Sequence, residues 1–242
     1  MTTIAILFWA GVFLVFYTYL GYGILLWTLV KIREALRPAR RYEVPAEAPE
    51  VTLLIAAYNE QEIVAEKMAN CRALEYPASK LRITWITDGS TDRTVELLAA
   101  YPDATVLHDA RRGGKTAALN RALEHIRTPL VVFTDANTML NPEAVTEIVR
   151  CFEDPQVGCV AGEKRVADAG GAGAAATEGV YWKYESKLKE LDYRLYSAVG
   201  AAGELFAVRR GLWQTLPEDT LLDDFVCSML IASQGYKIAY CK

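Results

Sequence analysis

The chain has 242 residues, of which 52% are hydrophobic and 23% charged, with a formal net charge of −4. That length holds one α/β domain of ordinary size together with an apolar segment, and leaves no room for several domains. Outside the basic cluster Lys31, Arg33, Arg37, Arg40 and Arg41 and its neighbour Glu34, 21 Lys and Arg stand against 29 Asp and Glu. The balance of −8 over 42–242 excludes a global basic footprint for nucleic acid.

The apolar excess lies at the start. Thr2 to Val30 contains no charged residue, and about 20 apolar residues suffice to cross a bilayer. Residues 1–30 are therefore expected to form one transmembrane helix in contact with membrane lipid. All nearby basic residues follow the run, so the positive-inside rule places the rest of the chain in the cytoplasm, at the cytoplasmic membrane. A cleaved signal peptide fits less well, because it would carry a charged start, a shorter apolar core and a small-residue cleavage site. Residues 31–49, basic and then carrying Pro38, Pro45 and Pro49, read as a linker. The five cysteines are odd in number, widely spaced and without a C-x-x-C, which favours reduced buried thiols over a disulfide framework or zinc site.

From residue 50 to 242 the pattern is that of one α/β domain. Val51–Ala57, Leu81–Thr87, Thr105–His108 and Leu130–Thr134 are short apolar runs of buried-strand type, each followed by a helical pattern: Gln61–Leu74, a stretch through Val95 and Leu98, Thr116–His125, and a helix after Pro142. Strands alternating with helices at this spacing predict a mainly parallel sheet with helices on both faces, and ligands that gather at the carboxyl ends of the strands. Gly158–Gly162, Leu205–Val208 and Ile238–Cys241 are further strand candidates. Ala167–Ala176 reads as a flexible loop. In Glu178–Tyr196, a helical pattern, Tyr181, Tyr184, Leu188, Leu191 and Leu195 form a stripe for core or membrane-surface packing.

Polar clusters stand at the predicted strand ends. Asp135 and Asn137 follow Leu130–Thr134 with only Ala136 between them, two hard oxygens that suit Mg²⁺ or Mn²⁺ carrying a diphosphate. The same residues could instead cap a turn and the helix near Pro142. Asp88 opens Asp88-Gly89-Ser90-Thr91-Asp92 and is open to two readings, a contact to a nucleoside or an Asp-Gly turn. Arg112-Gly113-Gly114-Lys115-Thr116 invites a phosphate loop, but that pattern needs glycine where Asp109 stands, so an ATPase of that type is a rival only. Asp223 and Asp224 precede a helix, where they either complement its dipole or supply a general base.

In their order, Ala56-Ala57-Tyr58-Asn59-Glu60, Asp88-Gly89-Ser90-Thr91-Asp92, Gly114-Lys115-Thr116-Ala117-Ala118-Leu119-Asn120, Asp135-Ala136-Asn137, Gly203-Glu204-Leu205 and Leu222-Asp223-Asp224 resemble the family 2 glycosyltransferases of GT-A fold. They look closest to the membrane-bound branch with the cellulose, chitin, hyaluronan and poly-N-acetylglucosamine synthases. The resemblance implies inverting transfer of a sugar from a nucleoside-diphosphate donor, usually a UDP-sugar, to a sugar or lipid-linked hydroxyl acceptor, with a divalent metal. It implies that Tyr58, Glu60 and Asp88 hold the nucleoside and that Lys115 lies near it or the diphosphate. Asp135 binds donor and metal, with Asn137 completing the metal pair. By the same resemblance Asp224 would be the base, and Glu204 and Asp223 would face the acceptor. Asn137 departs from the family's usual second aspartate, which leaves as an alternative a catalytically silent nucleotide-sugar sensor or scaffold subunit. The resemblance also implies a Gln-x-x-Arg-Trp segment and later transmembrane helices, which the sequence to Lys242 does not contain.

Overall fold

The computed structural model describes residues 2–37, 42–164 and 174–242, with the backbone alone at 174–180. It divides into two units, Met1–Arg41 with Val166–Ser197, and Tyr42–Arg165 with Ala198–Lys242.

In the first unit, α1 (Thr3–Phe16) passes through a π-helical turn, Tyr17–Gly21, into α2 (Tyr22–Leu36). Together they make one apolar helix, Thr3–Leu36. At 1.5 Å per residue such a helix is about 50 Å long, against a hydrocarbon core of about 30 Å. The large side chains of α1 stand exposed, consistent with a membrane span. The helix continues six residues past the boundary expected at Val30. Charge ends an apolar run, but Lys, Arg and Glu are good helix formers and do not end the helix. The helix α7 (Ala174–Leu195) lies along α2. Tyr184 donates to the Tyr19 carbonyl (2.6 Å), Tyr22 donates to Asp192 Oδ1 (2.6 Å), and Arg194 reaches Glu34 (2.6 Å). The numbers rise together, so the two helices run in the same direction. Leu26, Val30 and Leu191 are buried between them, with Tyr22, Leu188 and Leu195 packed around. The expected stripe is thus used from Tyr184 onward, while Tyr181 remains exposed. Of the expected loop Ala167–Ala176, residues 167–173 lie outside the described residues and 174–176 already belong to α7.

The second unit carries seven strands: β1 (Val51–Ala57), β2 (Leu81–Asp88), β3 (Ala104–Asp109), β4 (Leu130–Asp135), β5 (Val157–Gly162), β6 (Leu205–Arg209) and β7 (Lys237–Cys241). They form one sheet in the order β3-β2-β1-β4-β6-β5-β7. All pairings are parallel except those of β6, which is antiparallel to both β4 and β5. The sheet is thus mixed and mostly parallel. An apolar run of five residues carries no mark of its direction, so the reversal of β6 is not readable from composition. The five residues Val51–Ile55 and all of β5 are buried, as near-continuous apolar strands covered on both faces must be. Phe133 of β4 faces Phe206 of β6 in the register, and their rings stack with centroids 4.4 Å apart.

Helices α3 (Val64–Arg72), α4 (Thr94–Leu98), α5 (Lys115–His125), α6 (Ala144–Cys151) and α8 (Asp223–Ser233) complete the unit. Helix α5 packs on β1 and β2, whereas α6 and α8 pack on β5 and β7. Cys71, Cys159, Cys227 and Cys241 are buried, Cys151 is half-buried, and all five are free thiols. The order of strands has one consequence for function. From β1 the chain moves outward to β2 and β3 on one side and returns to β4 on the other, so a crevice opens between the carboxyl ends of β1 and β4.

Candidate active site

The end of β1 supplies Tyr58-Asn59-Glu60. Asn59 sits at φ 55°, in the left-handed region that asparagine tolerates better than most residues. Its side-chain oxygen accepts from Thr91 N–H (2.8 Å), and the Glu60 N–H donates to Thr94 Oγ1 (2.8 Å). Asp92 accepts from the Gln61 and Thr94 N–H groups, just before the start of α4. The loops after β1 and β2 are thereby joined. Burial raises the Glu60 carboxyl above the usual carboxylate range, and the charges of Asp135 and Asp92 push it the same way.

The end of β2 supplies Asp88, which is buried. Its Oδ2 accepts from the N–H groups of Gly113 (2.9 Å) and Gly114 (2.7 Å), so the carboxylate shapes the loop that leads into α5. Its Oδ1 lies 3.6 Å from the Arg121 guanidinium and makes no hydrogen bond among the described residues. Gly89 (φ 68°) and Gly114 (φ 95°) take conformations that side chains resist, and a Cβ on Gly89 would stand 2.8 Å from the Arg112 side chain. The loop that failed the phosphate-loop pattern is thus held against β2 by Asp88.

The end of β4 supplies Asp135, Ala136 and Asn137. Asp135 Oδ1 accepts from the Lys115 ammonium at 2.7 Å, and neither side chain is fully buried. Burial lowers the affinity of Lys115 for its proton, but the bond to Asp135 and the charges of Asp135, Asp223 and Asp224 outweigh that and leave it above the ordinary lysine value. Asn137 does not cap the following helix, since α6 begins only at Ala144. Asp223 and Asp224 occupy the first turn of α8. Burial raises the Asp223 carboxyl, Lys115 pulls it back and Asp224 pushes it further up. Asp223 Oδ2 is buried without a hydrogen-bond partner among the described residues. A Cβ added at Gly203 would lie 3.6 Å from Asp224 Oδ2 and 3.9 Å from Lys115 Nζ, so the turn before β6, the base candidate and Lys115 meet at one place.

Tyr58, Glu60, Asp88, Arg112, Lys115, Asp135 and Asn137 line one cleft of about 260 Å³, with the small side chains of Ala56, Ala57, Ala118 and Ala136 between them. Six of the residues singled out in the sequence are therefore brought together. Asp223 and Asp224 adjoin the cleft through Lys115, whereas Glu204 pairs with Lys164 at 2.5 Å and is not among the lining residues. Three further residues went unrecognised. Arg112 lays its guanidinium 3.9 Å over the Tyr58 ring. Arg121 bridges Asp88 and Asp109, each at 3.6 Å. Lys67 is fully buried, and its only sequence signal is a lysine on the apolar face of α3 beside Val64, Met68 and Cys71. Burial pulls the Lys67 pKa down to about 8.

The family model described as glycosyltransferase like family 2 matches residues 48–242. The beta-monoglucosyldiacylglycerol synthase of Nostoc sp. is 29% identical over 201 residues, covering 75% of this chain and 41% of that protein. The poly-beta-1,6-N-acetyl-D-glucosamine synthase of Staphylococcus aureus is 27% identical over 201 residues, covering 78% of this chain and 47% of that one. The chain thus spans less than half the length of these curated relatives. Among solved structures, the mannosyltransferase of Pyrobaculum calidifontis in complex with GDP-Man and Mn²⁺ matches with a TM-score of 0.76 at 27% identity, over 93% of this chain and 65% of that one. TarS of S. aureus in complex with UDP-GlcNAc matches with a TM-score of 0.62 at 16% identity, over 79% of this chain and 55% of that one, a likeness of fold alone.

Proposed function

Because the chain belongs to glycosyltransferase like family 2, we propose that it moves a sugar from a nucleoside-diphosphate donor to a hydroxyl acceptor, with inversion at the anomeric carbon. The observation that carries this is the convergence of the β1, β2 and β4 ends with Lys115 on one cleft, beside the paired carboxylates of α8. In this reading the free Asp88 Oδ1, Tyr58 and Glu60 receive the nucleoside, and Lys115 meets the diphosphate. Lys115 then exchanges its bond to Asp135 for phosphate oxygens, which leaves Asp135 free to turn outward.

Among the described residues no group of three or more His, Cys, Asp or Glu forms a metal cage. Asp135 and Asn137 still fit Mg²⁺ or Mn²⁺, because such an ion is commonly held by one or two protein oxygens together with substrate phosphates. When bound, the ion supplies positive charge to the leaving diphosphate. The chain's own part is to place the acceptor. Asp224 accepts the proton of the attacking hydroxyl as its oxygen bonds to the anomeric carbon and the sugar–phosphate bond breaks, its electron pair leaving with the diphosphate. Asp223 and Glu204 line the acceptor's approach. The helix Thr3–Leu36 anchors the protein in the membrane, with Lys31, Arg33 and the domain on the cytoplasmic side.

The test is a thermal-melt panel of UDP-, GDP- and dTDP-sugars with Mn²⁺, since a ligand bound only to the native state raises its melting temperature with the logarithm of concentration over Kd. One nucleoside class should stand out. A flat response across the panel would overturn the donor reading, and a shift without sugar transfer would favour the silent sensor instead.

A further inference from the structure

The segment that carries Asp135 and Asn137 has little of its own to hold it. Ala136 between them is 1% exposed and has no polar side chain, and the turn closes through the Thr138 N–H donating to the Asp135 carbonyl at 3.2 Å. Beneath it lies Lys67, with 0% exposure. Its ammonium donates to Thr134 Oγ1 at 3.3 Å and to the Thr138 carbonyl. Thr134 immediately precedes Asp135 and Thr138 immediately follows Asn137, so one buried group grips both ends of the segment.

We propose that Lys67 is a positioning residue for the donor site, its ammonium fixing the turn 134–138 so that Asp135 and Asn137 present their oxygens to the cleft together. The inference rests on the donor reading above. Burying an ammonium costs several kcal/mol, and an apolar side chain of similar volume is often as good or better for stability. A lysine at this place on the face shared with Val64, Met68 and Cys71 is therefore poorly explained by packing. It is explained by the two acceptors, the buried Thr134 hydroxyl and the part-buried Thr138 carbonyl, each of which would lose a charged donor without it. Asp135 is also among the charges that act on the Lys67 ammonium. An oxygen pair held from behind in this way needs no ordering when a cation and diphosphate arrive.

The experiment uses the full chain in detergent, with UDP and GDP titrated calorimetrically in EDTA and again in Mn²⁺. In Lys67→Met the affinity in EDTA should stay at the wild-type value, while the gain conferred by Mn²⁺ should shrink by about tenfold or more, the usual loss when the support of a metal ligand is removed. Thr134→Val, which removes one of the two acceptors, should lose part of the gain. If Lys67→Met alone does not fold, Lys67→Met with Thr134→Val removes the stranded hydroxyl and is expected to recover stability without recovering the Mn²⁺ gain. An undiminished Mn²⁺ gain in the Lys67 variant that folds overturns the inference, as does an equal loss in EDTA and in Mn²⁺, which would mark a purely structural role. A wild-type chain that binds neither nucleotide overturns the donor reading itself, an outcome separate from both.

Discussion

The two halves of the sheet serve the cleft in different ways. On one side, β1, β2 and β4 run parallel and end together, so every polar residue that follows them is delivered to the same edge by topology alone. On the other, β6 runs against its neighbours, and the half contributes its carboxylates from the first turn of α8, preceded by the turn before β6. The parallel half holds groups suited to keeping a ligand in place: a spare carboxylate oxygen on Asp88, an ammonium on Lys115 and the oxygen pair of Asp135 and Asn137. The mixed half holds two adjacent carboxylates, one buried and pushed up in pKa and the other beside Gly203. Binding and proton transfer should therefore be separable by mutation.

The largest effect should fall on turnover. Asp224→Asn keeps shape and hydrogen bonding but cannot take a proton, so transfer should drop by about 10²-fold or more with donor affinity unchanged. Kinetics alongside donor titration would show it. Asp223→Asn should cost less, and equal losses in the two variants would mean a shared structural role at the start of α8. The parallel half should give the reverse pattern. Asp135→Ala should remove Mn²⁺-dependent donor binding, whereas Asn137→Asp, by adding a charged oxygen, should keep or tighten it. If chelator and both substitutions leave donor affinity unchanged, the strand-end site is misassigned. Asp88→Asn weakens the charged acceptor for two backbone N–H groups, bonds each worth about 1.5–3 kcal/mol. It should loosen the Gly113-Gly114 loop and weaken donor binding by about tenfold or more.

How far the sequence reached follows the same division. Strands that are buried on both faces and stop at polar residues write both facts into a few residues, so β1, β2 and β4 are legible from the residues alone, while the set Tyr58, Glu60, Asp88, Lys115 and Asp135, which lines one cleft, follows from the resemblance to the family. The direction of β6 was not, because pairing partners rather than composition decide it. Helix ends differ from the pattern for a related reason: α3 begins at Val64, after a turn closed by the Ile63 N–H on the Glu60 carbonyl, while α2 runs on through charged residues at which the apolar pattern ends. Lys67 and Arg112 were missed because each acts through a partner that lies far away in the chain. A lysine on an apolar face says only that something polar must be buried near it, and Thr134 and Thr138 become its partners only once α3 is laid against β4.

Two glycines in the segment before β6 give the finest test of the contrast. Gly200 sits at φ 73°, and a Cβ there would stand 2.6 Å from the Phe225 ring, so Gly200→Ala pays for a left-handed backbone as well as a displaced ring. Its stability should fall by about 1–2 kcal/mol, the cost of that conformation for a residue with a Cβ. Gly203→Ala should behave otherwise. Gly203 has no positive φ, and its Cβ would meet Asp224 Oδ2 at 3.6 Å and Lys115 Nζ at 3.9 Å, ordinary contacts that require nothing to move. Its stability should stay within about 0.5 kcal/mol of wild type, as for most substitutions that neither open a cavity nor strand a polar group. Donor affinity should also hold, because Gly203 is not among the residues that line the cleft. In the proposed mechanism, however, the acceptor hydroxyl comes to the same carboxylate oxygen that the methyl now touches, so a fall in turnover should be the variant's one clear defect. Denaturation midpoints, donor titration and transfer rates on the two variants separate these effects. Loss of donor binding in a stable Gly203→Ala protein would place the turn before β6 with the parallel half instead, and unchanged turnover would mean that the acceptor reaches Asp224 from another side.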